Sequence, residues 1–186
     1  MVLLGIVNIV LMFVVTAISI KHIELDVISY FGLHACTTIT YILLLLYLTN
    51  ILQFTNEKIS IQVPFSIYLG LACIKFILSF LYTAAETLNM GIGMLSICIT
   101  VYMVISSFKI TNAKIASAYK LFSLVLLFNM LVKIAIPFVV SISPHMLPSR
   151  YFGFMDIIEV CAILYIIRSC GGLLRTNEVG VITSDI

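Results

Sequence analysis

Charged residues are what this sequence has least of. Asp, Glu, Lys and Arg make up 10% of its 186 residues, against about 25% in soluble globular domains. The hydrophobic share is 62% and the mean hydropathy is +1.23, which excludes a soluble domain and a disordered chain. A net charge of +2 gives no basic field for nucleic acid. The composition predicts an integral membrane protein that contacts the lipid bilayer and binds no nucleic acid.

Six long apolar stretches predict an all-α, polytopic bundle of six transmembrane helices. A helix crosses about 30 Å of hydrocarbon in about 20 residues. The predicted spans are Met1–Ile20, Val27–Phe54, Pro64–Ala85, Leu88–Phe108, Leu121–Ser143 and Phe152–Leu174. We therefore predict one transmembrane domain over residues 1–175, followed by a short cytoplasmic tail over residues 176–186.

Basic residues are distributed unevenly between the two sides of these spans. The counts are five against two: Lys58, Lys109, Lys114, Lys120 and Arg175 against Lys21 and Arg150. Cytoplasmic turns of membrane proteins carry the excess of Lys and Arg. Both termini are therefore predicted to be cytoplasmic.

Related strings follow the second, fourth and sixth predicted spans. Each begins with Thr-Asn, at Thr55, Thr111 and Thr176. They suggest three helical hairpins of similar plan, and parallel repeats of this kind do build transporters. The alternative is that Thr and Asn simply suit helix ends, since Asn tolerates the left-handed conformation there.

Three ionisable residues fall inside the predicted spans at similar depth: Lys75, Lys133 and Glu159. A charge at the bilayer centre costs at least about 2.5–3.5 kcal/mol and usually faces the bundle interior or a water-filled cavity. We expect Lys133 and Glu159 to pair, because their spans are consecutive. Lys75, expected near the centre of the span that begins at Pro64, must then be uncharged, pair with an acid of another subunit, or face water and an anion.

The fifth predicted span carries a second irregularity. Pro137 cannot donate to the Lys133 carbonyl, so it favours a helix kink there. Asn129 lies one turn before Lys133 on the same face. A freed carbonyl, an amide and an ammonium together predict a substrate or ion site. The alternative is that Asn129 and Lys133 only hold neighbouring helices together.

The second span is polar for a membrane helix. Its His34, Thr37, Thr38 and Tyr41 follow one continuous face, which either binds neighbouring helices or forms a polar pathway beside Lys75. No cofactor and no metal is predicted. Haem ligation by His34, together with a histidine of the outer turns (His22 or His145), is the one cofactor alternative.

Catalytic motifs are missing at the level of sequence. There is no His-Glu-x-x-His and no Gly-x-Ser-x-Gly. The five cysteines are scattered without a Cys-x-x-Cys pair and are typical of small packing residues. The sequence therefore favours a protein that is not an enzyme.

Two classes of function remain. The first is a small transporter or channel whose polar site contains Lys75, Lys133, Glu159, Asn129 and His34. Two lysines against one acid favour a small anion or a carboxylate-bearing solute. The second is a non-catalytic membrane subunit of a larger respiratory, secretory or sensory complex, whose buried charges pair with partner helices. Either class predicts a homo-oligomer or an assembly with other membrane subunits.

Overall fold

The computed structural model describes residues 1–21, 26–79, 85–142 and 152–182, with side chains for 1–20, 26, 28–79, 91–135 and 155–171. Over these residues the fold is all-helical, as predicted, and it contains six helices. They are α1 (Val2–Lys21), α2 (Val27–Phe54), α3 (Ile59–Leu78), α4 (Ala85–Ser107), α5 (Ala113–Ile142) and α6 (Phe152–Ile182).

Four stretches of the described chain are long and apolar enough to cross a membrane. They are Val2–Ile20, Ile28–Phe54, Ile59–Leu78 and Ala113–Ala135. A shorter apolar stretch, Gly91–Ser107, lies in α4. Several apolar helices of this length are consistent with an integral membrane protein in contact with lipid.

The helix ends differ from the hydropathy boundaries. Helix α3 begins five residues before Pro64, and α5 begins at Ala113 rather than Leu121. Helix α4 includes Glu86, which hydropathy assigns to a turn, and α6 continues through most of the predicted tail to Ile182. The reason is that hydropathy marks where a helix suits lipid, whereas the backbone remains helical wherever its hydrogen bonds continue.

Pro64 lies inside α3 without ending it. Proline lacks the N–H that would bond to the carbonyl four residues earlier, which belongs to Ser60. The hydroxyl of Tyr102 in α4 lies 3.4 Å from that carbonyl oxygen and donates to it. A neighbouring helix thus supplies the donor that the proline removes.

The connection from α2 to α3 is tied to the start of α5. Asn56 takes a positive φ of 52°, and the next residue, Glu57, is buried. The Glu57 carboxylate accepts hydrogen bonds from Thr111 N (3.1 Å), Thr111 Oγ1 (3.0 Å) and Asn112 N (2.9 Å). We call Glu57, Thr111 and Asn112 the Glu57 clamp, and this end of the bundle the Glu57 end.

The opposite end of the bundle, where α2 begins, is called the Asp26 end. Asp26 caps α2 by accepting a hydrogen bond from the Ser29 backbone N–H at 3.2 Å. Hydrogen bonding from Ser29 lowers the pKa of the Asp26 carboxyl below its usual value. The cap therefore favours the ionised carboxylate, whose charge also suits a helix N-terminus.

The three Thr-Asn strings occupy different structural positions. Thr55 caps the C-terminus of α2. Asn112 instead precedes α5, where its Oδ1 accepts from Lys114 N at 3.1 Å. The third string, at Thr176, lies within α6. The predicted three-hairpin repeat gains no support from these positions.

The helices form a ring in chain order. Within the described residues each helix packs on the next, α6 packs on α1, and α6 also contacts α2. Helix α1 therefore lies on one side of the α2–α6 contact, while α3, α4 and α5 arch around the other side. This arch encloses the interior in which the candidate site lies.

An apolar core fills the half of the bundle nearer the Glu57 end. It takes side chains from the second half of α2 and of α4 and from the first half of α3 and of α5: Leu44, Leu48, Ile61, Phe65, Met103, Ile115, Tyr119 and Phe122. Tyr119 Oη donates to the Leu48 carbonyl at 2.6 Å, and its ring meets that of Phe65 edge-on. Packed side chains close this half of the molecule.

Candidate functional site

Three adjoining cavities occupy the other half, nearer the Asp26 end. Their volumes are about 460, 290 and 200 Å³, and Tyr68 of α3 lines all three. Four further residues each line two of the three cavities: His34, Lys75, Lys133 and Glu159. Cavities of a few hundred Å³ with a few convergent polar groups are where small ligands bind.

The largest cavity brings together four of the five residues predicted for the site. Helices α3, α4, α5 and α6 form its walls, and its lining includes Lys75, Asn129, Lys133 and Glu159. The fifth predicted residue, His34, lines the two smaller cavities. The sequence-predicted residues therefore lie around one group of cavities, although their role stays a prediction.

Glu159 lies between the largest cavity and the 290 Å³ cavity. Its side chain is buried, with 6% of its surface exposed. Its Oε1 accepts a hydrogen bond from the Tyr41 hydroxyl, and its Oε2 accepts from Asn129 Nδ2 at 3.0 Å. Glu159 thus joins α2, α5 and α6 through neutral donors.

The expected Lys133–Glu159 pair is wrong. Lys133 Nζ lies 2.5 Å from Asp156 Oδ1, one turn closer to the Asp26 end. Helices α5 and α6 run antiparallel in a register that sets Asn129 against Glu159 and Lys133 against Asp156. A shift of one turn in the register of α5 against α6 is enough to change the partner of Lys133 from Glu159 to Asp156.

The expected position of Lys75 at the centre of its helix is also wrong. Lys75 lies in the last turn of α3, because the helix begins before Pro64 and ends at Leu78. At 1.5 Å per residue it is about 10 Å from the helix midpoint, where Tyr68 lies. Its side chain is exposed, lines two of the cavities, and has no hydrogen-bond or ion-pair partner among the described residues.

Asn129 carries a buried acceptor without a partner. Its Nδ2 lies 3.0 Å from Glu159 Oε2 and 3.2 Å from Asp156 Oδ1. Two carboxylates fix the orientation of the amide, because only the NH₂ group can donate to them. The Oδ1 atom is left buried, with no hydrogen-bond partner in the described part of the chain.

His34 is exposed on the same face of α2 as Thr37, Thr38 and Tyr41, and all four line the 290 Å³ cavity. Its Nδ1 lies 3.3 Å from Thr38 Oγ1. His34 also lines a further cavity of about 210 Å³. This face therefore borders cavities, and the polar pathway beside Lys75 stays a prediction.

Some sequence predictions fall outside what the structure describes. His22 and His145 lie outside the described residues, so the haem alternative has no structural support. Helix α5 continues past position 137 to Ile142, but the Pro137 side chain, to which the kink was assigned, also lies outside them. Among the described residues no cluster of three or more His, Cys, Asp or Glu side chains could hold a metal ion.

Sequence reasoning missed Tyr68 and the pairing role of Asp156. A signal for both existed. Asp156 precedes Glu159 by three residues and Asn129 precedes Lys133 by four, so both pairs follow single helix faces. Two such faces on consecutive antiparallel helices predict two contacts, one between Asn129 and Glu159 and one between Lys133 and Asp156. Tyr68 lies two turns before Lys75, on the face of α3 that Lys75 shares.

The site contains equal numbers of basic and acidic side chains: Lys75 and Lys133 against Asp156 and Glu159. It can therefore bind a small polar solute by charge and by hydrogen bonds. Comparisons with protein-family models, curated proteins and solved structures find no match to this chain.

Proposed function

We propose that this chain is a small membrane transporter whose site for a carboxylate-bearing solute is the group of cavities around Tyr68. The observation that carries the proposal is Lys75, an exposed ammonium on the cavity wall without a partner among the described residues. Charges on membrane helices face a water-filled cavity or a partner. Charge-assisted hydrogen bonds make a carboxylate a favourable ligand for such an ammonium.

The packing asymmetry favours a transporter over an open channel. The cavities lie toward the Asp26 end, whereas the apolar core fills the Glu57 end. A solute entering from the Asp26 end would meet Leu48, Phe65 and Tyr119 below the site. A site that is closed on one side is expected for one state of an alternating-access cycle.

The proposal includes an orientation. With all six helices spanning the bilayer and both termini in the cytoplasm, the Glu57 end is cytoplasmic and the cavities face outward. Lys58, Lys109 and Lys114 are exposed at the Glu57 end, which suits the cytoplasmic side. Residues 176–186 are then cytoplasmic.

Uptake into proteoliposomes tests the proposal. Purified protein would be reconstituted, and entry of ¹⁴C-labelled propionate and leucine measured for the wild type, Lys75→Leu and Lys58→Leu. We expect protein-dependent uptake that Lys75→Leu reduces at least about tenfold, since it removes a charge-assisted contact.

Lys58 is the matched control because it is an exposed lysine next to the start of the same helix, far from the cavities. Lys58→Leu should retain the wild-type rate. Equal uptake by Lys75→Leu and the wild type, with both variants folded, would remove the proposed site.

The second candidate is a membrane subunit of a larger complex. The same unpartnered Lys75 favours it, because an acid on a partner helix could neutralise the ammonium. Purification from the native membrane in mild detergent distinguishes the two. A stoichiometric set of other subunits, lost in Lys75→Leu, would establish the subunit; a particle of this chain alone would favour the transporter.

A further inference from the structure

We propose that the solute is a zwitterion that carries a protonated amine beside its carboxylate, as an α-amino acid does. This inference rests on the proposed function and names the substrate class of the same site. It depends on the charge balance of the cavity, on an unpartnered buried acceptor, and on the apolar part of the lining.

The charge balance changes once Asp156 is included. Lys133 and Asp156 neutralise each other at 2.5 Å. Lys75 and Glu159 remain on the largest cavity, and neither has an ion-pair partner among the described residues. A simple carboxylate would satisfy Lys75 alone. A zwitterion presents one charge to each.

Asn129 Oδ1 gives an independent reason for the amine. It is a buried acceptor on a side chain that lines the same cavity, and it has no donor within the described chain. An unmade hydrogen bond of this kind is costly, and only a donor can satisfy it. A carboxylate has acceptors only, whereas a protonated amine has three donors. Asn129 and Glu159 together therefore suit an ammonium group.

The two charged regions lie on different walls of the cavity. Lys75 belongs to α3, whereas Asn129 and Glu159 belong to α5 and α6, with which α3 makes no helix packing contact in the described chain. The solute would lie between these walls, with its carboxylate at Lys75 and its amine at Asn129 and Glu159. The rest of the lining contains aliphatic side chains: Met94, Ile97, Leu126, Met130 and Ile134. These residues suit an aliphatic solute side chain such as that of leucine.

Three related probes separate the contributions of the two charged groups. Leucine carries both groups, 4-methylpentanoate lacks the amine, and 3-methylbutylamine lacks the carboxylate. Binding of each would be measured by calorimetry on the purified full chain in detergent, and uptake in proteoliposomes. We expect leucine to bind at least about tenfold more tightly than either analogue, because each analogue loses a charged hydrogen-bonding group.

Two variants assign the ends of the solute. Lys75→Met should weaken leucine and 4-methylpentanoate but leave 3-methylbutylamine unchanged. Glu159→Gln, which keeps a hydrogen-bonding side chain beside Tyr41 and Asn129, should weaken leucine and 3-methylbutylamine but leave 4-methylpentanoate unchanged. Lys58→Met is the control and should bind all three like the wild type.

The outcomes distinguish this inference from the function on which it rests. If 4-methylpentanoate binds and is taken up as well as leucine, the zwitterion is wrong and the carboxylate transporter stands. If neither leucine nor 4-methylpentanoate binds or is taken up by folded protein, both proposals are overturned. The wild-type comparison alone decides between these results, even if Glu159→Gln does not fold.

Discussion

Glu159 connects three helices at the site. It accepts hydrogen bonds from Tyr41 of α2 and Asn129 of α5 while it belongs to α6. Because Glu159 and Asn129 are both buried, each group left without a partner would lie away from water. The stability of the protein should therefore depend on the two carboxylate oxygens of Glu159.

The first prediction compares two substitutions of this residue. Glu159→Leu leaves the Tyr41 hydroxyl without an acceptor and the Asn129 amide with Asp156 alone, and it should destabilise the protein by about 1–3 kcal/mol, the usual cost of an unpaired donor. Glu159→Gln keeps an acceptor and should cost less. Thermal unfolding in detergent, checked by denaturant unfolding, measures the difference.

Ile158→Leu is the matched control, because Ile158 is the exposed neighbour on the same helix. It should unfold like the wild type. A Glu159→Leu variant as stable as Ile158→Leu would contradict the bonding described for Glu159.

Four polar residues that the sequence indicated line one cavity, but the partner that it gave Lys133 was wrong. Charged and polar groups inside apolar stretches indicated Lys75, Lys133, Asn129 and Glu159, because such groups need a cavity or a partner. Their pairing depends on the register of α5 against α6, which core packing decides. Asp156 lay near a predicted span end, so its role as the partner of Lys133 was missed.

At the scale of the helices and their connections, the Glu57 clamp joins the α2–α3 connection to the start of α5. A buried carboxylate accepts three hydrogen bonds from Thr111 and Asn112, two of them from the backbone N–H groups of these residues, which directly precede α5. A negative charge beside the N-terminus of a helix also interacts favourably with the helix dipole. The clamp fixes the α2–α3 connection against α5.

The second prediction concerns the loss of the Glu57 clamp. Glu57→Ala should destabilise the protein by about 1.5–3 kcal/mol, the range for hydrogen bonds to a charged group. Unfolding by denaturant would be compared with Lys58→Ala, which changes the exposed neighbour in the same connection. Equal stability of the two variants would show that the clamp contributes little.

Helix existence was easier to predict from sequence than helix length. Each apolar stretch contained a helix because hydrogen bonds must be satisfied internally in lipid. The ends were missed where polar residues extend a helix beyond the apolar part, as at Lys114 and Lys120 in α5. Pro64 was taken as a boundary, but the Tyr102 hydroxyl donates to the carbonyl that the proline leaves free.

At the scale of the whole molecule, the two halves of the bundle differ in packing. Fully buried side chains such as Leu48 and Phe122 fill the Glu57 end, and the polar cavities lie toward the Asp26 end. This asymmetry predicts access to the site from one side only in this state.

The third prediction concerns that access. In a background without the five native cysteines, Thr38→Cys, which lines two cavities, should react with an impermeant thiol reagent added outside intact cells. Leu48→Cys, within the core, should not react. Labelling of Thr38→Cys only after permeabilisation would reverse the proposed orientation.

The measurement that tests the transporter most directly is counterflow. Proteoliposomes loaded with unlabelled leucine would be diluted into a trace of labelled leucine, and its transient accumulation followed over time. The proposed transporter predicts accumulation above equilibrium that Lys75→Leu abolishes and Lys58→Leu retains. Leucine entry that never exceeds equilibration, or that is the same with and without protein, would contradict a solute carrier with its site at these cavities.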